Sequence, residues 1–316
     1  MNLFFKIPVS VLLAGITLYL LEKPVKFGLD NNKNLKSSYV VKKDIEADVL
    51  LHGDCHSETN LDPTVLQSFS DFSFYNLGVL NSNFADNYLF LHHYLKHHKK
   101  PKAILMHVFP GSFDSSYYNT FNTYRFVHLL DDKVTAATAK ELDPDFGKTY
   151  AIPFFKYSYY SNFTYYKALK GYLDYFNLTN GTFRHDNGHL PPMHEWERTL
   201  GMFRREKIWF KWSPSNEKYL LKIIDLAKAE KIKLIFFELP YYSGAKQYWL
   251  NYDTRINRIK AISSEHQIPF YRLRSPSLQR DSTHYSSAYT VTIKGIKPMN
   301  EVFGSFVRDS LTSVIK

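Results

Sequence analysis

Short apolar runs alternate with longer amphipathic segments over most of the chain. Consecutive apolar residues are typical of buried strands, and apolar residues spaced three or four apart predict helices. Predicted strands lie at 47–53, 71–79, 102–110, 233–240 and 268–273. Predicted helices lie at 85–100, 216–232 and 255–267. Apolar strands separated by helices predict an α/β fold, a doubly wound, mainly parallel five-stranded sheet in a three-layer sandwich.

The first 23 residues predict a membrane-spanning helix. Residues 7–21 carry no charge, and Lys6 can snorkel, which extends the span to nearly the ~20 residues needed to cross a bilayer. The chain continues after Leu21 with Glu-Lys-Pro-Val-Lys, a poor cleavage site for a signal peptide. We therefore expect an uncleaved anchor at 1–23. Lysines flank it on both sides, and their charge alone favours a cytoplasmic body.

The rest of the chain divides into a linker and one domain. Residues 24–45 are rich in Asn, Lys and Ser and predict a linker, and residues 46–316 predict the α/β domain. A long insertion of weak periodicity, about 111–215, separates the third and fourth predicted strands. Because sites of α/β proteins form beyond the carboxyl ends of the strands, we interpret this insertion as a lid or cap over that edge.

Composition excludes several classes of function. No G-x-G-x-x-G and no P-loop follow any predicted strand, which argues against a dinucleotide or nucleotide cofactor. The formal charge of +10 is spread along the chain and belongs to no nucleic-acid module, so we expect no nucleic-acid partner and no cofactor. The single cysteine cannot form an internal disulfide.

That cysteine, Cys55, directly follows Gly53-Asp54 at the end of the first predicted strand. A thiol at this edge of a parallel sheet is placed to act as a nucleophile, and the alternative is a small packing residue. Near the other end of the chain, Asp281 and His284 follow the last predicted strand. In a tight turn this carboxylate can orient the imidazole, which gives the base that a nucleophile needs.

These blocks resemble the SGNH/GDSL hydrolases. "GDCHSE" at 53–58 resembles their first block, usually Gly-Asp-Ser, "YNLGV" at 75–79 their second, and "DSTH" at 281–284 their last. The resemblance implies a flavodoxin-like sandwich. With the anchor, the chain resembles the envelope acyl-transfer subset, which includes the D-alanyl-transfer protein of teichoic acid synthesis and the alginate O-acetyltransferase group. It implies a single-pass protein of the cell membrane with its body on the extracytoplasmic side.

The resemblance also assigns roles to residues. It implies that Cys55 is the nucleophile, His284 the general base and Asp281 its orienter, with the N–H groups of Cys55 and Gly78 holding the oxyanion. The family's Ser is replaced by Cys, and its third block, Gly-x-Asn-Asp, is missing because the matching strand end reads "MHVFPGS". Asn81 or Asn83 is then a candidate for the third oxyanion donor.

Other residues beside the nucleophile have two interpretations each. Asp54, His56 and His107 are candidates for substrate binding, whereas Asp54 can simply brace the turn, His56 can cap or lie on the rim, and His107 can be structural. Ser57 is a rival nucleophile in a shifted motif. Within the insertion, four residues suggest a metal site, but their spacing matches no helical metal pair, and we predict none: His185, His189, His194 and Glu195.

The resulting hypotheses differ in class. The first is a membrane-anchored esterase or O-acyltransferase that acts on an envelope polysaccharide or teichoic-acid-like polymer through an acyl-enzyme on Cys55. The second is a catalytically degenerate accessory protein that binds glycan or a membrane-bound O-acyltransferase. The third is a structural anchored protein with a chance motif. Loss of turnover in Cys55→Ala separates the first from the others.

Overall fold

The computed structural model describes residues 3–115, 125–159, 161, 163–179, 187–192 and 207–315. The chain forms two compact units, each built from two separate stretches of sequence. The anchor unit combines Met1–Lys43 with Thr120–Arg184, and the sheet unit combines Asp44–Asn119 with His185–Lys316. The predicted insertion is therefore not one body, because its middle belongs to the anchor unit and its two flanks belong to the sheet unit.

The sheet unit contains a five-stranded parallel sheet, which confirms the predicted fold class. The strand order is β2-β1-β3-β4-β5, and Leu50 of β1 pairs with Tyr75 of β2 and Ile104 of β3. β1, β2 and β3 are buried along their whole length, as expected of parallel strands covered on both faces. The bounds are β1 Val49–His52, β2 Phe74–Asn76, β3 Ala103–His107, β4 Lys233–Glu238 and β5 Phe270–Arg272.

Helices cover the sheet and build the anchor unit. In chain order the α-helices are α1 Leu3–Asp30, α2 Lys36–Lys42, α3 Cys55–Asn60, α4 Pro63–Leu66, α5 Phe84–His97, α6 Lys133–Leu142, α7 Pro144–Thr149, α8 Phe163–Tyr175, α9 Pro214–Ala229, α10 Tyr252–Glu265, α11 Pro276–Arg280, α12 Ile293–Phe306 and α13 Thr312–Ile315. Short 3-10 turns lie at Gln67–Phe69, Pro110–Phe113, Val127–Leu129, Phe155–Tyr157, Ser243–Tyr248 and Ser282–His284, and a π-turn at Val307–Leu311. The three predicted helices correspond to α5, α9 and α10.

The core of the sheet unit lies between the sheet and α12. Leu105 and Phe237 of the central strands are fully buried there against Phe303 of α12. Asn300 of the same helix is also fully buried, and its side-chain amide donates to Asn60 O at 3.0 Å while its oxygen accepts the Asp62 N–H. This asparagine therefore fixes α12 to the end of α3, the helix that begins at Cys55.

Helix α1 is long and apolar enough to cross a membrane. The candidate span, Ile7–Asp30, has a mean hydropathy of 1.4, and none of its most apolar window is buried within the protein. A helix with apolar side chains exposed all round is typical of a membrane span or a signal sequence rather than of a soluble surface. Within this helix, the Thr17 hydroxyl donates a hydrogen bond to the backbone carbonyl of Leu13 at 2.9 Å.

Residues 24–45, predicted as a linker, are structured. α1 continues to Asp30, and α2 follows after five residues. Ser38 is buried and its hydroxyl donates to Leu29 O at 2.7 Å, while Val40 is fully buried. The polar composition was misleading because Lys36, Ser37 and Ser38 are buried within the anchor unit, and both serine hydroxyls donate to backbone carbonyls there.

Two glycines let α1 and α8 approach closely. A Cβ on Gly171 would lie 1.6 Å from Gly28 O, and a Cβ on Gly28 would lie 2.2 Å from Ala168 O. The two helix backbones are therefore in direct contact, which no residue with a side chain permits at these positions.

We expect Gly171→Ala to destabilise the anchor unit by about 1–3 kcal/mol, because the methyl group forces the two helices apart. Urea unfolding of the full chain in detergent measures this difference. Gly147→Ala in α7 is the matched control, since its nearest neighbour is a Lys140 side-chain carbon at 3.5 Å. Equal stability of the two variants would contradict the close contact.

Candidate active site

The strand order reverses between β1 and β3, and this defines where a site is expected. From β1 the chain moves outward to β2, then returns to place β3 on the other side of β1. In open parallel sheets, ligands bind in the crevice beyond the carboxyl ends of the strands at such a reversal. The residues that follow β1 and β3 here are Gly53-Asp54-Cys55 and the 3-10 turn Pro110–Phe113.

Gly53 allows the sharp turn between β1 and α3. Its φ of 142° lies in a region that L side chains rarely adopt, and a Cβ would lie 2.9 Å from His107 Cβ. The Gly53 carbonyl accepts the Val79 N–H at 3.1 Å. A glycine at this position therefore brings the ends of β1, β2 and β3 together around the turn.

Asp54 is the centre of a buried polar cluster. Its Oδ1 accepts the backbone N–H of His56 at 3.0 Å, which caps α3, and also lies 2.8 Å from His56 Nδ1. Its Oδ2 accepts the Ser112 hydroxyl at 3.1 Å, and His107 Nδ1 lies 3.4 Å from Oδ1. Burial alone would raise the pKa of Asp54, but the imidazoles of His56 and His107 outweigh it and hold that pKa well below its ordinary value.

Cys55 is the first residue of α3 and retains partial exposure. One ligand atom each of Asp54, Cys55 and His56 lie within 4.8 Å of one another. Desolvation of the sulfur and the negative charge of Asp54 raise the pKa of the Cys55 thiol, although the backbone of Asn81 acts in the opposite direction. The thiol is therefore protonated at neutral pH, and a base must accept its proton before or during attack on a carbonyl.

The loop after β2, which contains the second motif block, lies against α3. Leu80 N–H donates to the buried Glu58 carboxylate, and Asn81 has a φ of 53°. Gly78 N–H, predicted as an oxyanion donor, donates instead to Asn76 Oδ1 at 3.0 Å. Asn83, the other candidate donor, uses its side-chain oxygen to accept the Asp86 N–H and cap α5. Among the predicted donors in this loop, Asn81 is the one whose backbone interacts with the Cys55 sulfur.

Asp281 and His284 follow β5 but are not joined to Cys55 by any hydrogen bond or ion pair within the described part of the chain. β5 is an edge strand three positions from β1, or about 14 Å at the usual strand spacing. Asp281 is the cap of a 3-10 turn, and hydrogen bonds from the Thr283 hydroxyl and N–H lower its pKa. His284 Nδ1 lies 3.8 Å from Asp281 Oδ2, and both residues line an open cavity with Glu301 of α12.

The segment after His284 does reach the site, through a residue that the motif does not mark. Asn60 of α3 donates to Tyr289 O at 2.8 Å, and its Oδ1 accepts the Val291 N–H. The Tyr289 ring lies 4.9 Å from the His56 ring and stacks on Trp249 at 4.9 Å. Tyr289 therefore forms part of an aromatic wall beside the Asp54–His56 pair, which Phe109 of the β3 loop extends.

Asn76, at the end of β2, is a second residue that sequence reasoning missed. It is fully buried, and its amide donates to Ser57 O at 2.7 Å and to Leu61 O at 2.8 Å. This asparagine holds both ends of α3 against β2 and so positions Cys55. The only signal in the sequence was a polar residue inside an apolar strand, a pattern that often marks a buried hydrogen-bonding role.

The remaining candidates have different outcomes. Ser57, the rival nucleophile, is fully buried, and its hydroxyl has no hydrogen-bond partner within the described ranges. His189 of the suggested metal cluster is buried and contacts Thr59 O through Nε2 at 3.1 Å, so it fastens residues 187–192 to α3. The other three members of that cluster lie outside the described residues: His185, His194 and Glu195.

The raised pKa of Cys55 leads to a reactivity prediction. We expect iodoacetamide to alkylate Cys55 at pH 7.5 at least about tenfold more slowly than a free thiol of pKa about 8.5, with a rate that still rises above pH 9. Intact-mass measurement across the pH series gives the profile. Asp54→Asn, which removes the neighbouring charge, should react faster than the wild type. A plateau below pH 8 would mean that the thiolate is stabilised instead.

Comparison with known proteins gives likenesses of structure only. No family model and no curated protein matches the sequence. One similar solved structure is a protein assigned to the lipolytic G-D-S-L family from Desulfitobacterium hafniense, with 13% identity, a TM-score of 0.39 and coverage of 81% of this chain and 97% of that one. A second, assigned as an acylhydrolase from Bacteroides fragilis, has 12% identity, a TM-score of 0.38 and coverage of 89% and 94%. A third, an acetyl xylan esterase from Butyrivibrio proteoclasticus, has 10% identity, a TM-score of 0.32 and coverage of 84% and 64%. At these scores the comparison adds no argument about activity. What the chain's own geometry establishes is a doubly wound α/β protein with a histidine–aspartate pair and its single cysteine at the topological switch point.

Proposed function

We propose that this protein is a membrane-anchored hydrolase or O-acyltransferase that processes acyl esters through Cys55. One observation carries the proposal. A partly exposed cysteine stands at the carboxyl edge of a parallel sheet, and its sulfur lies within 4.8 Å of a buried histidine that is bonded to a buried carboxylate. Nucleophile, base and orienting carboxylate are the three groups that acyl transfer requires.

The chemistry follows from these groups. Cys55 Sγ attacks the ester carbonyl, its proton passes to a histidine, and the alcohol leaves with that proton as a thioester forms. Water or an acceptor hydroxyl then attacks the thioester, which releases an acid or a new ester and restores the thiol. Water gives hydrolysis and a polymer hydroxyl gives transfer. Since the resting thiol is protonated, the reaction depends on the histidine in the way that a serine enzyme does.

We assign the proton acceptor to His56. Its Nδ1 is bonded to Asp54 Oδ1, so the carboxylate fixes the ring as an orienting partner should. The Asp-x-x-His motif favours His284 with Asp281 in the same role. The variants His56→Ala and His284→Ala distinguish the two.

The anchor and the setting complete the proposal. α1 is the membrane anchor, and the body lies on the extracytoplasmic side, where an envelope polysaccharide or teichoic-acid-like polymer is the substrate and a membrane-bound O-acyltransferase is the partner. The length and hydropathy of α1 support the anchor. The side, the polymer and the partner rest on the three motif blocks at 53–58, 75–79 and 281–284.

Trapping of the acyl-enzyme tests the proposal. Full-length protein in detergent is mixed with p-nitrophenyl acetate, quenched in acid and measured by intact mass and peptide mapping. We expect one acetyl group on Cys55, none in Cys55→Ala, and at least about a tenfold slower rate in His56→Ala. Acetylation at another residue, or a rate indifferent to both histidine variants, would exclude the proposed chemistry.

A second candidate is a catalytically degenerate protein that uses the same crevice for binding. It is favoured by the hydrogen bond from Gly78 N–H to Asn76 Oδ1, which engages one of the predicted oxyanion donors, and by the raised pKa of Cys55. This candidate predicts that Cys55→Ala binds an acylated polymer as tightly as the wild type does and that no acyl-enzyme forms.

A further inference from the structure

Helix α8 of the anchor unit has one face packed inside the protein and one face that is apolar and exposed. Thr164, Ala168, Gly171 and Asp174 are buried. The opposite face carries large side chains that are mostly more than half exposed: Phe163 56%, Tyr166 57%, Leu169 59%, Leu173 38% and Phe176 62%. This outer face, defined by those five residues, runs the length of the helix. A contiguous apolar stripe of this kind on a soluble surface indicates an interaction site.

The outer face lies beside the candidate anchor because α8 packs on the end of α1. The Phe27 ring contacts the rings of Tyr172 and Tyr175 at 5.1 and 5.0 Å. Just past the end of α1, Asn32 donates to Lys167 O and the Lys33 N–H donates to Asp174 Oδ2.

These contacts place α8 at the end of α1 that follows its uncharged part. Gly28 meets both Ala168 and Gly171, and just past α1 the consecutive residues Asn32 and Lys33 bond α8 at Lys167 and Asp174. If α1 spans a bilayer, α8 therefore lies at the level of its surface.

The depth of α8 follows from helix geometry. The uncharged part of α1 ends at Leu21, and Gly28, which meets α8, is seven residues further on, or about 10 Å along the axis. The side chains of a helix extend about 5–6 Å from its axis, so side chains of α8 can reach to within about 5 Å of the hydrocarbon edge. This is the headgroup layer, where aromatic and leucine side chains of interfacial helices lie.

Cationic groups accompany the outer face. The Lys167 ammonium lies 5.6 Å from the centre of the Phe163 ring, and Lys170 lies on the same helix with partial exposure. Where α8 ends, Lys33 and Lys42 line a cavity of about 240 Å³ between α1, α2 and α8. Lysines around an aromatic face are the charge pattern that binds anionic lipid surfaces.

We propose that α8 is an interfacial helix whose outer face is inserted at the surface of an anionic lipid bilayer, so that the anchor unit rests on the membrane instead of extending from it on a single helix. The inference rests on the part of the proposed function that makes α1 a membrane anchor, and it is independent of the chemistry at Cys55. The occupant of the outer face is lipid, and the recognition combines burial of apolar rings with attraction of lysines to lipid headgroups.

Depth-dependent quenching tests the proposal on the full-length chain. In a Cys55→Ala background, a single cysteine is placed at Leu169 or Tyr166 on the outer face, at Leu250 in the sheet unit as a matched exposed control (51% exposed), or at Leu12 in α1. Each variant is labelled with an environment-sensitive fluorophore. The proteins are reconstituted in vesicles of three parts phosphatidylcholine to one part phosphatidylglycerol, with a spin label on the acyl chain of a tracer lipid.

We expect labels at 169 and 166 to be quenched at least roughly twofold more than the label at 250, and less in vesicles without phosphatidylglycerol. Quenching at 12 but not at 169 or 166 would leave the anchor in place and overturn the interfacial helix. No quenching at any position would overturn both the anchor and this inference. Self-quenching at 169 without lipid quenching would assign the outer face to a second copy of the chain and would also overturn the proposal.

Discussion

Cys55→Ala is expected to lower acyl-ester turnover by at least about 10³-fold while leaving the fold intact. Removal of the sulfur abolishes the acyl-enzyme, because Cys55 is the single cysteine of the chain and no other thiol can replace it. The side chain is small and partly exposed, so its loss creates little cavity. Measurement of kcat/KM with p-nitrophenyl acetate on detergent-purified full-length protein, with circular dichroism as the folding check, decides the outcome.

Ser57→Ala is the matched control for that experiment. Ser57 lies two residues along the same helix, is fully buried and has a hydroxyl that bonds nothing in the described structure. Its removal should therefore change turnover by less than about twofold and leave stability unchanged or slightly raised. If Ser57→Ala lost turnover and Cys55→Ala retained it, the shifted motif would be correct and the assignment of the nucleophile would be wrong.

Replacement of Asp54 by alanine should cost about 3–5 kcal/mol of unfolding free energy near neutral pH. The carboxylate caps α3, bonds the buried His56 ring and accepts the Ser112 hydroxyl, and all of these groups lose their partner at once. Urea unfolding of the full chain in detergent gives the difference. A loss below 1 kcal/mol would contradict the buried cluster as described.

The same variant has a characteristic pH dependence. Because the folded pKa of Asp54 lies below its unfolded value of about 3.9, its contribution to stability is present above that value and is lost as the pH falls through the folded pKa. The difference in unfolding free energy between the wild type and Asp54→Ala should therefore become smaller at acid pH. Asp48→Asn is the matched control, since Asp48 stands at the other end of β1 in a partly exposed pair with Lys102, and its loss should cost about 1 kcal/mol or less.

The strands of the fold were predictable because their signal is local. Residues 103–106 and 234–237 are uninterrupted apolar runs next to turn residues, and their short length favours buried parallel strands over helices. The strand order was not predictable, because it depends on pairings between segments that are 25 to 130 residues apart in the chain. That order decides which loops meet, and it places β5 at the sheet edge, three strands from β1.

The candidate site was therefore only partly visible in the sequence. The Gly53-Asp54-Cys55 turn lies where the motif predicts, directly after β1. A glycine at the end of an apolar run marks such a turn, because the turn needs the positive φ that Gly53 adopts. Tyr289 and Asn76 carry no motif and act through hydrogen bonds to α3, and such partners appear only once the chain is folded. The linker prediction for 24–45 was wrong for the same reason, since polar composition does not distinguish serines that face water from serines that bond a neighbouring helix.

The close contact between Gly28 and Gly171 has a consequence for synthesis. α8 begins about 130 residues after α1 ends, and the chain between them contains β1, β2 and β3. At a translation rate of roughly 5–20 residues per second, α1 waits roughly 7–27 s for the helix it packs against. During that interval its glycine-lined surface is covered by nothing that the chain itself has yet made. The bilayer or a membrane chaperone must shelter that surface, so mutations that slow translation between the two helices should raise degradation of the nascent protein even when every residue is unchanged.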